Sequence, residues 1–330
     1  MNALYSFFAV LVLILLVMLG LAANLHVVFG TIIPYLAVVV FIIGFVYRIL
    51  VWARSPVPFK ITTTCGQQKT LPWIKSNNLE APNNMLGVVG RMALEILFFR
   101  SLFRNTKMEL REGPKLVYGG EKWLWLAGLV FHWSFLIVVV RHFRFFLEPV
   151  PSFIMMIQNL DGIMEIGVPV FYMTGFAVLG AITFLFLRRV VIPQVRYISL
   201  PADYFPLFLI MAIVTTGILM RYTALRVDIV KVKELSMGLI GFNPAIPEGL
   251  GATFFIHLFL VSVLLIYFPM SKLMHMGGVF LSPTRNMKNN NRAERYTNPW
   301  NYPVKVHTYE EWEDEFRDVM KEAGMPLEKE

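Results

Sequence analysis

The chain has 330 residues, of which 56% are hydrophobic and only 16% are charged, and its formal net charge is +8 at pH 7. A soluble globular domain carries about 25% charged residues, so this composition excludes an ordinary soluble fold and predicts an integral membrane protein in contact with the lipid bilayer. The positive charge is better explained by basic loops that orient a membrane protein than by nucleic-acid binding, and no nucleic-acid partner is expected.

Apolar runs long enough to cross a bilayer as α-helices occur six times along the chain. The predicted spans cover residues 4–23, 30–52, 123–147, 163–187, 202–222 and 252–274. The fold class predicted is therefore an all-α integral membrane protein, a bundle of six transmembrane helices. The lone cysteine, Cys65, excludes an internal disulfide and a metal cluster held by cysteines alone.

These runs divide the chain into four predicted units. We expect two N-terminal transmembrane helices, a cytoplasmic loop with an interfacial helix, a four-helix core, and a cytoplasmic tail that docks a partner. The four units are, in that order, residues 1–52, 53–122, 123–275 and 276–330.

The charges of the loops predict the side of the membrane on which each loop lies. Residues 53–120 carry ten Lys and Arg against four Asp and Glu, and residues 188–200 carry three Arg and no acid, whereas residues 148–161 hold two acids and no base. Because basic loops stay in the cytoplasm, we expect a multi-pass protein of the cell inner (cytoplasmic) membrane with both termini cytoplasmic. A seventh span at residues 85–104 would reverse this pattern, so that charge-interrupted run predicts an interfacial helix.

The tail contains one more predicted helix. Thr308 and Glu311 have the spacing of a capping box, and Gly324 marks the end of the helix. The apolar residues between them recur at helical spacing and are Trp312, Phe316, Val319 and Met320. An acidic helix of about four turns is not stable alone, so it packs either on the chain's own loops or on a cytoplasmic partner.

Four of the six histidines lie in or beside two of the spans. His132 and His142 are about 15 Å apart along one helix at a rise of 1.5 Å per residue, and His257 and His275 are about 27 Å apart and on one face if their helix is continuous. Depth in the membrane pairs His142 with His257 and His132 with His275. A kink at Pro269 would have to absorb the difference of about 12 Å between the two spacings.

Facing histidines at two depths predict two b-type haems, each held by two imidazoles. Zinc would need three or four converging ligands and a di-iron site would need Glu-x-x-His motifs, and neither pattern occurs. A covalent haem would need Cys-x-x-Cys-His, which is also missing. The predicted iron ligands are His132, His142, His257 and His275. Arg141, Arg144 and Arg221 are predicted to bind haem propionates at the outer end, or else to reach lipid phosphates.

Other readings of the same residues stay open at this point. Asp161 and Glu165, at the start of the fourth predicted span, are either proton relays or helix-start carboxylates. Buried histidines also relay protons in transporters, although no convincing internal repeat of the transporter kind is found. A membrane anchor without a redox role is a third possibility, and it leaves four histidines unexplained.

The five spans from residue 30 to residue 275 resemble the nitrate reductase gamma subunit family of dihaem cytochromes b, whose ligand helices carry histidines at these two spacings. The segments CGQQKTLPWIKSNNLEAPNN (65–84) and NPWNYPVKVHTYEEWEDEFRDVMKEAG (298–324), together with the additional first span, are similar to the DsrM family. Members of that family are the membrane cytochromes b of the Dsr complex associated with sulfite reduction. This second resemblance covers nearly the whole chain.

The resemblance implies an electron-transfer subunit that holds two haem b groups and exchanges electrons with menaquinol or menaquinone in sulfate or sulfur metabolism. It implies a cytoplasmic iron–sulfur partner similar to the catalytic subunit of heterodisulfide reductase (DsrK-like). The larger complex adds a periplasmic triheme cytochrome c, a periplasmic iron–sulfur protein and a second membrane subunit. The same cytochrome could instead serve a nitrate or heterodisulfide reductase. The family's quinol-site lysine has no clear match here, so quinone-site residues are not carried over.

Overall fold

The structure is a computed structural model that describes residues 1–55, 66–113, 115–163, 169–282, 284–290 and 306–329. Cys65 and Glu165 lie outside the described residues. The helices in chain order are α1 (Asn2–Ala22), α2 (Ile33–Arg54), α3 (Met85–Phe98), α4 (Arg100–Arg104), α5 (Lys122–His142), α6 (Ser152–Asp161), α7 (Met173–Val191), α8 (Pro193–Ile198), α9 (Pro201–Tyr222), α10 (Ile229–Ile240), α11 (Ala252–Tyr267), α12 (His275–Gly278) and α13 (Tyr309–Glu322).

Among the described residues, six helices are long and apolar enough to cross a membrane: α1, α2, α5, α7, α9 and α11. This confirms the predicted all-α, six-helix fold and makes the chain a multi-pass membrane protein. The helix α1 packs on α9 and α11, α2 packs on α11, and α5 packs on α7, which in turn packs on α9. The buried apolar core lies mainly where α9 and α11 meet the first two helices.

The loops collect at two ends of this bundle, which we call the Lys122 end and the His142 end after the first and last residues of α5. At the Lys122 end lie the described residues between α2 and α5 (66–113 and 115–121), the turn between α7 and α9, and α12, which follows α11. The Asn2 side chain donates to the Ser199 carbonyl at 2.8 Å, which ties the start of α1 to this end. The strongly basic loops therefore share one end, and its assignment to the cytoplasm stays a prediction.

The segment before α5 differs from the single interfacial helix expected at residues 85–104. It forms α3 and α4, separated by Phe99, whose φ is +50°. At 14 residues, α3 is too short to span a bilayer. An antiparallel hairpin of β1 (Thr106–Arg111) and β2 (Lys115–Gly120) follows. The alternation of polar and apolar residues from Lys107 to Arg111 is the sequence signal that could have predicted this hairpin, although both its faces are largely exposed.

The fourth span begins ten residues later than predicted, at Met173 rather than at residue 163. An apolar composition does not distinguish a helix from an apolar loop whose backbone groups are hydrogen-bonded to side chains. Here the Val170 carbonyl accepts hydrogen bonds from the Arg221 guanidinium and the Tyr222 hydroxyl, so the helix is not needed to satisfy it. Asp161 ends the separate short helix α6 and does not lie in the first turn of the span.

The last span ends earlier than predicted, and His257 and His275 do not share one continuous helix face. Helix α11 stops at Tyr267, and a single 3₁₀ turn at Phe268–Met270 follows. Pro269 has no N–H to continue the helical hydrogen bonds. Ser271 is extended, and its hydroxyl accepts from the Leu273 N–H to begin the new turn that leads into α12.

The tail helix α13 has the boundaries and capping box predicted for it. The Thr308 hydroxyl accepts from the Glu311 N–H, and the Glu311 carboxylate accepts from the Thr308 N–H. One face is covered by the chain's own last residues, because the buried carboxylate of Glu313 accepts from the backbone N–H of Glu328 and of Lys329. A neighbouring apolar face stays exposed; it consists of Tyr309, Trp312, Phe316 and Val319.

Candidate haem-binding sites

The structure brings together the two histidine pairs predicted from their depth. The ring centroids of His142 and His257 are 6.4 Å apart, and those of His132 and His275 are 5.9 Å apart. The break after α11 removes the mismatch of about 12 Å between the helical spacings. The chain changes direction at Pro269 and Ser271, so His275 at the start of α12 does not continue along the axis of α11. His275 lies beside His132 instead.

Every one of these four rings has its Nδ1 atom in a hydrogen bond. Nδ1 of His132 donates to the Gly128 carbonyl and Nδ1 of His142 to the Val138 carbonyl, both at 2.7 Å. Nδ1 of His275 donates to the Lys272 carbonyl at 2.8 Å. A carbonyl can only accept, so in the neutral imidazole the proton sits on Nδ1 and the lone pair is left on Nε2. This tautomer is the one a histidine needs to bind a metal through Nε2.

The fourth ring, His257, is held by a side chain from a different helix. Its Nδ1 lies 2.9 Å from the hydroxyl oxygen of Thr216 on α9. That hydroxyl also lies 2.8 Å from the Ala212 carbonyl and 2.9 Å from the Ile213 carbonyl, to which it donates its single proton. Thr216 therefore accepts from His257, which leaves Nε2 of His257 free like the other three. The sequence points to Thr216 only as a polar residue within an apolar span.

The spacing of each pair fits a metal held between two imidazoles. Imidazole–metal bonds of about 2 Å place two rings on opposite sides of an ion with their centres about 6 Å apart. The described residues contain no group of three or more His, Cys, Asp or Glu that could hold a metal ion, so each donor set is two imidazoles. Two neutral imidazoles with free Nε2 atoms are a donor set that would hold a b-type haem.

The surroundings of the rings leave room for a flat cofactor. Helix α5 packs mainly on α7, whereas α11 packs on α1, α2 and α9, so the two histidine-bearing helices meet chiefly through their paired rings. The surfaces of His132, His142 and His275 are exposed. The residues present therefore fit a haem at each pair.

Two phenylalanines contact the ring of His132. Phe99, at the break between α3 and α4, meets its ring edge to face with centroids 4.9 Å apart, and Phe131 does the same at 5.1 Å. Phe99 belongs to the segment between α2 and α5, which is far from His132 in sequence. No local pattern marks it as part of the site, because its contact depends on the left-handed backbone at this one residue.

The three arginines near the His142 end already have partners within the protein. Arg141 forms an ion pair with the buried Asp161, with Nε and Oδ2 3.0 Å apart. Arg144 donates to the Gln158 side chain at 2.6 Å, and Arg221 donates to the Val170 carbonyl at 3.1 Å. None of these contacts tests the predicted role at haem propionates, which stays a prediction.

Asp161 acts as a helix-start carboxylate from outside the helix. Its two oxygens accept from the Thr174 N–H and hydroxyl in the first turn of α7, at 2.9 Å and 2.7 Å. Arg141 and Arg221 lie over the ring of Tyr172 with guanidinium carbons 3.8 Å and 4.3 Å from its centroid. The cluster ties the ends of α5, α6, α7 and α9 together beside the His142 pair.

Six apolar helices with histidines paired between α5 and the α11–α12 region define an integral membrane protein of the cytochrome b-like class. The family model of the nitrate reductase gamma subunit matches residues 97–290, more than half of the chain, and includes all four histidines. The chain belongs to the nitrate reductase gamma subunit family.

Two curated relatives extend the similarity to most of the chain. The chain is similar to the Hdr-like menaquinol oxidoreductase cytochrome b-like subunit of Archaeoglobus fulgidus, with 47% identity over 281 residues that cover 83% of each chain. It is similar to the subunit of the same description from Archaeoglobus profundus, with 40% identity over 274 residues that cover 81% of each chain.

Proposed function

We propose that this chain is the membrane subunit of a respiratory oxidoreductase complex in which two b-type haems link menaquinol to an iron–sulfur protein on the cytoplasmic side. The observation that carries the proposal is the presence of two imidazole pairs, each with both Nδ1 atoms engaged and both Nε2 atoms left for a metal. The relatives named as menaquinol oxidoreductase subunits support the choice of quinol.

In this proposal the four histidines are the iron ligands. His142 and His257 hold one haem, and His132 and His275 hold the other, about 15 Å further along α5. Haem held by two imidazoles exchanges single electrons and leaves no iron position for oxygen or substrate. The protein contributes the spacing of the ligands, their fixed tautomers and an apolar surrounding, and the hydrogen bonds to the Nδ1 atoms keep each ring oriented.

The pairing of the rings supports a ligand role over the proton relay of a transporter. The carbonyls fix the proton on Nδ1 at His132, His142 and His275, so Nε2 is the nitrogen left to bind a metal or to carry protons. Two such rings about 6 Å apart, at each of two depths, have the spacing of a metal between two imidazoles. The role of a non-redox membrane anchor would not explain why histidine rings are paired at two depths.

We place the quinone reaction beside His142, between α5 and α7, and its protons on the outer side of the membrane. The basic loops at the Lys122 end support a cytoplasmic location for that end and for both termini. We also propose the division of the chain into the four units predicted from the sequence, in which residues 123–275 form the dihaem core. Arg141, Arg144 and Arg221 surround the proposed outer haem and are proposed to lie near its propionates.

The proposed partner at the Lys122 end is a heterodisulfide-reductase-like (DsrK-like) iron–sulfur subunit, consistent with the Hdr-like description of the relatives. We propose further that the complex is of the Dsr type and that the chain has the role of DsrM. That complex would add the periplasmic triheme cytochrome c, the periplasmic iron–sulfur protein and the second membrane subunit. The resemblance of residues 65–84 and 298–324 supports this assignment over a nitrate reductase.

The test is the haem content of the purified protein. Reduced-minus-oxidised spectra and pyridine haemochromogen assays should give two haem b groups per chain. Single alanine replacements of His142 or His257 should remove one haem, and those of His132 or His275 should remove the other. His307→Ala, outside both pairs, is the matched control and should keep both. A protein without haem, or four single variants that each retain two haems, contradicts the proposal.

A further inference from the structure

The two histidine pairs differ in the relative orientation of their rings. The planes of His142 and His257 are nearly parallel, at 13°, whereas the planes of His132 and His275 are nearly perpendicular, at 79°. A flat ring bound to iron through Nε2 can still turn about the iron–nitrogen bond. The angle between two such rings is therefore set by what holds their Nδ1 atoms and their edges.

Three of the rings are held within their own segment of chain, and one is not. His132, His142 and His275 donate to carbonyls three or four residues earlier, so their orientation follows from the local turn. His257 on α11 donates instead to the Thr216 hydroxyl on α9. The orientation of this ring thus depends on a neighbouring helix.

The hydroxyl of Thr216 is itself oriented so that its oxygen accepts the hydrogen bond from His257. Its hydroxyl proton is directed to a backbone carbonyl of α9, so the oxygen presents a lone pair to His257. The next residue, Gly217, has no side chain, and a Cβ added there would lie 3.4 Å from Cε1 of His257. The threonine thus provides the hydrogen bond, and the glycine provides the space in which the ring lies against α9.

We propose that Thr216 is a positioning residue that holds the His257 ring parallel to His142 and makes the two haem sites electronically unequal. The inference rests on the proposed function, since it requires a haem at each pair. The d-orbital splitting of a low-spin ferric haem depends on the angle between its two imidazole planes. Parallel planes give a resolved rhombic EPR spectrum, and perpendicular planes give a highly anisotropic spectrum dominated by one large g value. We expect one signal of each kind.

The experiment uses the full-length protein in detergent, with haem content measured before EPR. Thr216→Val removes the hydroxyl and keeps the shape, Thr216→Ser keeps the hydroxyl, and Thr215→Val removes the hydroxyl of the preceding, exposed threonine. Thr216→Val should move the rhombic signal toward the anisotropic type and leave the other signal unchanged. Loss of the hydrogen-bond acceptor makes His257 a weaker electron donor, so the midpoint potential of that haem should rise. Its haem affinity should fall about 10- to 100-fold.

The outcomes separate this inference from the proposed function. Wild-type protein without two haems contradicts the proposed function itself. Two haems with EPR signals of the same kind overturn the inference while the proposed function stands. It is also overturned if Thr216→Val leaves both signals and both potentials unchanged, or if Thr215→Val produces the same changes. Preservation of the wild-type spectrum in Thr216→Ser, with the change confined to Thr216→Val, supports it.

Discussion

The ring of Phe99 lies edge to face against the ring of His132, with centroids 4.9 Å apart and planes at 84°. Phe99 reaches His132 through a left-handed backbone, which costs a residue other than glycine about 1–2 kcal/mol. The indole N–H groups of Trp125 and Trp133 donate to the carbonyls of Phe98 and Leu97, at 2.7 Å and 2.9 Å, and fasten the end of α3 onto α5. The segment between α2 and α5 is thereby joined to a proposed iron ligand.

This contact predicts that Phe99 tunes one haem only. Phe99→Gly relieves about 1–2 kcal/mol of backbone strain and loses a similar amount of apolar burial, so overall stability should change little. Removal of the ring exposes more of His132 to solvent, which stabilises the more highly charged ferric form, so the midpoint potential of the proposed His132 haem should fall in redox titrations. The neighbouring, exposed Phe98→Leu is the control. Equal shifts of both haems, or none, would show that the contact has no such role.

The ion pair of Arg141 and Asp161 predicts a large loss of stability on its disruption. Asp161 is 4% exposed and is shared between Arg141 and the start of α7. Asp161→Ala leaves a buried guanidinium without its counter-ion, and such losses cost about 3–5 kcal/mol. Thermal unfolding in detergent should show a clear drop, whereas Glu248→Gln on an exposed loop should not. A proton-relay role for Asp161 would instead predict slowed quinol turnover at unchanged stability.

Much of this architecture is predictable because its signals are local. The length of an apolar run predicts a spanning helix, and a fixed rise per residue predicts which histidines share a depth. The helix break that lets His275 meet His132 is only partly predictable. Pro269 indicates that α11 must end or kink, but the direction of the chain after Ser271 depends on packing against α2.

Other parts of the site depend on contacts between distant segments and leave no local signal. Thr216 is one of several hydroxyl residues within apolar spans, and only the packing of α9 on α11 selects it as the partner of His257. The late start of α7 follows from side chains of α9 that satisfy the Val170 carbonyl. The residues that make these contacts can be identified in the sequence, but their proximity in space cannot be predicted from a single sequence.

The exposed aromatic face of α13 predicts a docking role for the tail. Its three aromatic residues are Tyr309, Trp312 and Phe316. With seven acidic and two basic residues, the helix is repelled by anionic lipid and suits a protein partner with a basic rim. Replacement of both Trp312 and Phe316 by alanine should weaken copurification of the proposed iron–sulfur subunit at least tenfold, because buried aromatic residues dominate interfaces.

The control for this docking prediction lies on the opposite, charged face of the same helix. Asp318→Asn should leave copurification nearly unchanged, and haem content should stay at the wild-type value in every variant. Higher salt should weaken binding of the wild-type tail if a basic rim contributes. Full retention of the partner by the double alanine variant would show that α13 packs only on its own chain.

The close approach of α2 to the break after α11 predicts a selective effect of one methyl group. A Cβ added at Gly44 would lie 2.8 Å from Cβ of Pro269, and the proline ring cannot rotate away. Helix α2 also supports α12, since a Cβ added at Gly277 would meet Phe45 at 3.4 Å. Gly44→Ala should therefore displace the helix break and, with it, His275, and so lower occupancy of the His132/His275 haem alone.

The control is Gly180→Ala on α7, where a Cβ meets nothing within 4 Å. This change should instead stabilise α7 by about 0.5–1 kcal/mol with both haems retained. Visible spectra and thermal unfolding of the two variants measure this difference. Equal haem content in both would mean that the position of His275 does not depend on α2.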